Sequence, residues 1–277
     1  MSLRNSYAIL RHELRVMWTD PSTVIFVVAM PLVMVALMKQ LFATALRAEG
    51  FGNANGSEFA VPAMAVGFAA FGVGYAGFPF FRDHGWGTWD RLRATPASSV
   101  DIMVGKVLPT VGVTFVQLSV LFLLGGPLFG LRVNGSWLAL GVLSAVLALA
   151  LSAFGILVTA ITRTMNQLNA VGSTGGMAMA MLGGAWVPVA TMPGWAQAVA
   201  PFLPTYWAMK GFRDVILAGV GVRAVVTPVL AMAGFGVVYT AIAAWRFRFE
   251  DSKVYYGWPM VRPVIAHIPA AVCMLVL

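Results

Sequence analysis

The sequence predicts an all-α integral membrane fold of six transmembrane helices. An N-terminal interfacial elbow helix, a cytoplasmic connector helix and an outer re-entrant helical hairpin before the last span complete it. Three observations predict this fold. Hydrophobic residues make up 60% of the 277 positions and charged residues 10%, with a mean hydropathy of +0.84; soluble domains carry about a quarter charged residues. Long uncharged runs occur at 21–38, 59–81, 107–131, 133–162, 164–209 and 224–245, and about 18 such residues suffice to cross a bilayer. The basic residues are unevenly shared between alternate connectors, which sets orientation rather than signalling nucleic acid.

The elbow helix is expected over 2–19. Leu3, Tyr7, Leu10, Leu14 and Met17 fall on one stripe, with Arg4, Arg11, His12 and Arg15 mostly off it. That pattern suits a basic helix lying in the membrane interface. Asp20-Pro21 ends it, because proline disfavours helix at the residue before it. The first span follows over 22–46, with Lys39 near its outer end, where its stem can snorkel to the interface. Ala43-Thr44-Ala45 has the form of a cleavage site, but the apolar segment is longer than a signal-peptide core, so it is expected to be retained.

A Gly- and Asn-rich turn leads to the second span, 59–81, which carries Gly67, Gly72, Gly74 and Gly77. The connector GWGTWDRLRATPASS, 85–99, then concentrates two tryptophans, two arginines and an aspartate, and a short helix is expected over 84–97. Trp86, Trp89 and Leu92 share one face at i, i+3 and i+6, away from Asp90, Arg91 and Arg93. Two readings fit these residues: aromatics pressed into a partner's groove, or a basic loop on anionic headgroups with tryptophan anchors.

The third span is expected over 106–131 and the fourth over 136–162, joined by a tight outer turn. The fifth, 165–187, carries Gly172, Gly176, Ala180 and Gly184 every four residues, a small-residue ridge that lets helix backbones approach. Packing within one subunit and across a dimer both fit the ridge. Residues 188–219 are apolar but hold Pro188, Pro193, Pro201 and Pro204, too many for a straight span. They read as two short helices at the outer surface, with Trp195, Tyr206 and Trp207 of interface-belt type and Lys210 one turn from Asp214, close enough to pair. The sixth span, 224–246, closes a six-span domain over 1–253. The tail 254–277 is apolar, broken by Pro259, Arg262, Pro263 and Pro269, and too short to span.

With an even span count, the inside holds Arg4, Arg11, Arg15, Arg82, Arg91, Arg93, Lys106, Arg163, Arg246, Arg248 and Lys253. The outside holds Lys39, Arg47, Arg132, Lys210, Arg213 and Arg223. The bias puts both termini in the cytoplasm. Cys273 stands alone, so no intrachain disulfide staples the outer loops.

Several chemistries are missing from the sequence. Every Asp and Glu falls in a connector, a tail or at a span end, which argues against ion-coupled transport through membrane-depth carboxylates. His12, His84 and His267 lie far apart without metal-ligand spacing. No HExxH, GxSxG or GxxxxGK[ST] motif is present, so no catalytic residue, metal site or phosphate loop is expected. The sequence reads as a pathway without its own motor.

GTWDRLRATP followed by Gly105-Lys106 resembles the Gly-Thr-x-Glu-x-Leu-x-x-Thr-Pro…Gly-Lys pattern of type-2 ATP-binding-cassette permeases, daunorubicin-resistance-like membrane subunits of bacterial exporters. Asp90 stands where that family usually has Glu, and Gly85 where another acidic residue is common. MPGWAQAVAPFLPTYWAMKGFRD, 192–214, resembles the same family's Met-Pro-x-Trp-x-Gln-x-x-Ala…Pro-x-x-Tyr…Arg stretch. The resemblance covers about residues 1–250.

It implies a permease subunit that moves a hydrophobic or amphipathic drug, antibiotic or lipid out across the bacterial inner membrane. ATP and Mg would be bound by a separate dimer of ATPase subunits, and a second permease, identical or related, would complete the pathway. Export of a lipid-linked glycan and ATP-independent flux are the alternatives. The family's coupling-helix role transfers to Trp86, Gly87, Thr88, Trp89, Asp90, Arg91, Leu92, Arg93 and Thr95, with the elbow helix contributing to the same contact. The implied outer gate comprises Met192, Pro193, Trp195, Pro204, Tyr206 and Arg213, and the second and fifth spans are implied to line the pathway.

Overall fold

The computed structural model describes residues 25–48, 50–52, 54–79 and 99–249, with isolated positions 7, 11, 12, 15 and 95. The secondary structure of the described residues is helical: a π-turn at Ile25–Ala29, then α1 (Met30–Ala48), α2 (Ser57–Phe71), α3 (Ser99–Phe129), α4 (Trp137–Ile161), α5 (Met165–Leu182), α6 (Gly194–Val199), α7 (Pro204–Ile216) and α8 (Val226–Phe249). Among them, five helices are long and apolar enough to cross a membrane: those within Val27–Arg47, Ser57–Gly74, Gly105–Phe129, Trp137–Ile161 and Val222–Arg246.

The helix expected as the fifth span, α5, is shorter and more polar than the reading 165–187. It has 18 residues, about 27 Å at 1.5 Å per residue, so its length approaches the hydrocarbon thickness. Asn166, Gln167, Asn169, Ser173 and Thr174 keep it out of the strongly apolar class. Of these, all but Ser173 lie on the exposed side of the subunit.

Local chemistry sets where the helices begin. Before α2, the Glu58 carboxylate accepts from the N–H groups of Asn55 and Gly56, both at 3.1 Å, while Asn55 Oδ1 accepts from Ser57 N at 2.8 Å. These bonds satisfy donors that a helix start leaves open. Ser136 and Thr164 cap α4 and α5 through Ala139 N and Gln167 N. Gln167 also reaches back to accept from Arg163 N at 2.9 Å, a close relative of the capping box.

α2 is the axis of the molecule. It packs against α1, α3, α5 and α7, and 83% of its spanning window is buried. Its α-helical part ends at Phe71, earlier than the expected 81, and tightens into a 3-10 helix over Gly72–Gly77. Close packing goes with that tightening. A methyl at Gly172 of α5 would lie 2.6 Å from Gly74 Cα, and one at Gly176 would overlap the Ala70 carbonyl oxygen. The small-residue ridge therefore lies against α2 within the subunit. Gly184 does not extend the ridge: it sits beyond α5 with φ 92 and turns the chain, a conformation that costs glycine little.

α3 is longer than expected. It starts at Ser99 rather than near 106 and has 31 residues, about 46 Å, well over the ~30 Å hydrocarbon core. Lys39 also departs from the simple snorkelling reading. Its Nζ donates to the Phe129 carbonyl at 2.8 Å, and Asn55 Nδ2 donates to the Gly130 carbonyl at 2.9 Å. Both bonds close the open C-terminal carbonyls of α3. α8 packs most broadly on α4, with Phe154 and Tyr239 rings 5.3 Å apart.

Candidate functional site

The hairpin 188–219 follows from its prolines. Pro188 and Pro193 precede a 3-10 turn (Val189–Thr191) and α6, Pro201 lies in the 3-10 turn Ala200–Phe202, and Pro204 opens α7. Proline lacks an N–H that a helix start does not need, and its fixed φ is already helical. Four prolines thus give a chain of short helices rather than one broken span. Gln197 Nε2 ties the first turn together by donating to the carbonyls of Met192 at 2.8 Å and Ala190 at 3.4 Å. Trp207 Nε1 ties the second by donating to Pro201 O at 2.9 Å.

Thr205 fastens α7 to the bundle. It is buried, and its hydroxyl donates to Met179 O at 2.6 Å, near the end of α5. At the far end of α7, Asn134 N donates to Ile216 O at 3.3 Å and Asn134 Nδ2 donates to Leu217 O at 3.4 Å. The hairpin is anchored at both ends.

Between these anchors lies a cavity of about 280 Å³, lined by Phe59, Pro188, Met209, Tyr206, Lys210, Arg213, Asp214 and their neighbours. The Arg213 guanidinium carbon stands 5.5 Å over the Phe59 ring and Lys210 Nζ 5.3 Å from the Trp207 ring centroid. A ring face attracts a cation through its quadrupole. Lys210 therefore rests on Trp207, not on Asp214, where the sequence spacing had placed it.

Of the predicted gate residues, Tyr206 and Arg213 line this cavity and Pro204 is buried at the start of α7. Met192, Pro193 and Trp195 stand apart from it, Trp195 being 66% exposed. Sequence reasoning missed Phe59, Met209 and Thr205. Phe59 had no visible signal, because only the fold brings the start of α2 against α7.

Of the coupling residues, Thr95 is described and exposed; Trp86, Gly87, Thr88, Trp89, Asp90, Arg91, Leu92 and Arg93 lie outside the described residues. So does the tail 254–277, and of the elbow helix only Tyr7, Arg11, His12 and Arg15 are described, all helical and exposed. The chain is described up to residue 79 and again from residue 99. Lys106, the lysine of the Gly-Lys pair, is 1% exposed, and its Nζ donates to Pro79 O at 3.2 Å. One buried ammonium thus ties α3 to the segment that follows α2. Among the described residues no group of His, Cys, Asp and Glu could hold a metal ion.

The profile of the ABC-2 type transporter family matches residues 4–217, more than half of the chain. The chain belongs to that family. As an ABC-2 permease it is similar over 156 residues, at 32% identity, to the linearmycin resistance permease protein LnrN of Bacillus subtilis. That match covers 56% of this chain and 39% of the relative. It is 27% identical over 175 residues to the inner membrane transport permease YhhJ of Escherichia coli, covering 62% of this chain and 46% of YhhJ. It is 24% identical over 177 residues to ABC transporter G family member 20 of Dictyostelium discoideum, covering 62% and 24%. The chain thus spans less than half the length of each relative. The permease is an all-α membrane protein of an ABC transporter, and its family is that of the membrane part, without the ATPase domain.

Proposed function

We propose that this permease is the membrane subunit of an ATP-driven exporter that moves a hydrophobic or amphipathic compound outward across a bacterial inner membrane. Its termini lie in the cytoplasm. Two ATPase subunits bind ATP and Mg and hydrolyse the nucleotide, and a second permease, identical or related, completes the pathway. The resistance permease among its relatives supports an antibiotic-like cargo.

One observation supports the reading: α2 runs from the cavity to the segment that Lys106 ties to α3. Its outer end places Phe59 under Arg213 in the cavity, and the segment after its inner end is held to α3 by Lys106, on either side of the connector 84–97. A packed helix transmits a displacement rather than absorbing it, since protein interiors are dense and compress little. Closure of the ATPase dimer pushes the connector, α2 and α3 move together, and Phe59 shifts beneath α7 to open the outer side. The polar exposed side of α5, with Asn166, Gln167, Asn169 and Thr174, is poor in contact with lipid and suits a second subunit or a hydrated pathway.

The test is association with the ATPase. Asp90→Arg and Leu92→Glu, on the connector's two faces, are expected to abolish co-purification of the ATPase while membrane insertion stays intact. Normal co-purification with both variants sinks the proposal.

A further inference from the structure

We infer that the Gly72–Gly77 stretch of α2 is a conformational switch, a 3-10 segment that rewinds to α-helix and shortens the helix between the cavity and Pro79. What drives the change rests on the exporter reading. The switch itself rests on backbone geometry and on two polar groups beside it. Runs of 3-10 helix beyond three or four residues are uncommon, and one inside a longer helix often marks a hinge. This run has six residues, with α-helix before it over Ser57–Phe71 and helix again at Phe78 and Pro79.

Its composition keeps both windings within reach. Glycine stands at 72, 74 and 77, and glycine favours α-helix less than any residue but proline. Residues three apart eclipse in a 3-10 helix, and Gly74 and Gly77 are such a pair without side chains. Against α5, Gly74 meets the backbone of Gly172, so no side chain locks the winding at that point. Each residue that rewinds shortens α2 by about 0.5 Å and turns it by about 20°. All six together shorten it by about 3 Å.

α3 supplies the second observation. A methyl at Gly125 would meet Val61, and Lys106 bonds to Pro79 O, so α2 and α3 run antiparallel in a defined register. That register brings Thr110 level with the 3-10 stretch and Gln117 level with the residues just before it. Both side chains are more than nine-tenths buried, yet Thr110 Oγ1 and Gln117 Nε2 have no hydrogen-bond partner. Buried polar groups left unpaired weigh against the conformation that leaves them so. Rewinding turns the carbonyls of 72–77 about the helix axis and offers these groups acceptors. A two-state element requires contacts of this kind, made in one state and absent from the other.

The experiment measures the length of α2 by double electron–electron resonance in nanodiscs. Spin labels replace Phe51 and Phe78, exposed residues on either side of the stretch, in a Cys273→Ser background diluted with unlabelled permease. Phe51 reports the start of α2, because backbone bonds to Leu46 and from Ala54 fix it in the preceding turn. A second pair at Trp137 and Ile161, exposed at the two ends of α4, is the fixed ruler. Trapping the permease–ATPase complex with ATP and vanadate is expected to shorten the Phe51–Phe78 distance by about 3 Å while the ruler holds. In the permease alone, Gly74→Ala raises the short population about fivefold, because alanine is the better α-helix former. Its methyl meets nothing closer than Ser173 Oγ at 3.5 Å. Gln117→Met acts in the opposite direction, lowering the short population of the trapped complex about fivefold for one lost hydrogen bond. Misfolding does not produce opposite shifts. A hydrolysing complex whose Phe51–Phe78 distance ignores ATP overturns the switch and leaves the exporter standing, and two variants that shift the same way also overturn it. A permease that binds no ATPase rejects the exporter, and Gly74→Ala in the permease alone then decides the switch: a raised short population supports it, an unchanged one overturns it.

Discussion

Lys106 bears a buried ammonium, and the bond its Nζ donates to Pro79 O is one of the contacts that hold it there. Replacing it with Met leaves the Pro79 carbonyl without this donor, at a cost of about 1–3 kcal/mol. Lys106→Met is therefore expected to lower the thermal midpoint of the purified permease, and Lys106→Arg to lower it less, as read by a thermal-shift assay in detergent. Gln117 presents the opposite case. Its Nε2 is buried with no hydrogen-bond partner, so the polar group is a burden where it sits. Gln117→Met, close in volume, is expected to keep or raise the thermal midpoint; a clear fall in the same assay argues that a water or ligand satisfies the amide. Thr205 is buried and bonded, and Thr205→Val removes the tie between α7 and α5 that the sequence alone does not reveal.

The elements divide by how they are held. α4 is a long, strongly apolar span capped by Ser136. α5 is different, because its place depends on missing side chains. Gly176→Ala adds one methyl where the Ala70 carbonyl already lies, and the backbones must separate at a cost of roughly 1–3 kcal/mol. The yield of folded permease on size-exclusion chromatography is expected to drop for Gly176→Ala and to hold for Gly141→Ala, whose added methyl meets nothing within 4 Å. An equal yield from both removes the close packing of α5 on α2. The proline hairpin is ordered by prolines at its helix starts and by the Gln197 and Trp207 bonds.

At the scale of the whole molecule, α2 runs from the cavity to the segment that Lys106 holds to α3, and most of it is buried. Phe59→Ala removes the ring beneath Arg213, and the proposed exporter mechanism is tested by its effect on transport. The variant complex is expected to assemble and hydrolyse ATP but to lose most of its transport, measured as ATP-dependent accumulation of a fluorescent amphipath in inverted vesicles. Transport equal to wild type rejects α2 as the transmitting rod. The sequence by itself determined the class of molecule, the approximate positions of its long helices and the proline-built hairpin. Hydrophobic run length and proline geometry are local properties, readable without knowing any neighbour. It also carried the connector motif, whose residue types repeat a family pattern. Only the tertiary structure decided which face the glycine ridge meets, that Gly184 turns the chain, that Lys39 closes the end of α3, and that Phe59 joins Tyr206 and Arg213 in one cavity. Each of these depends on residues far apart in the chain, and side chains distant in sequence meet only once the helices have packed.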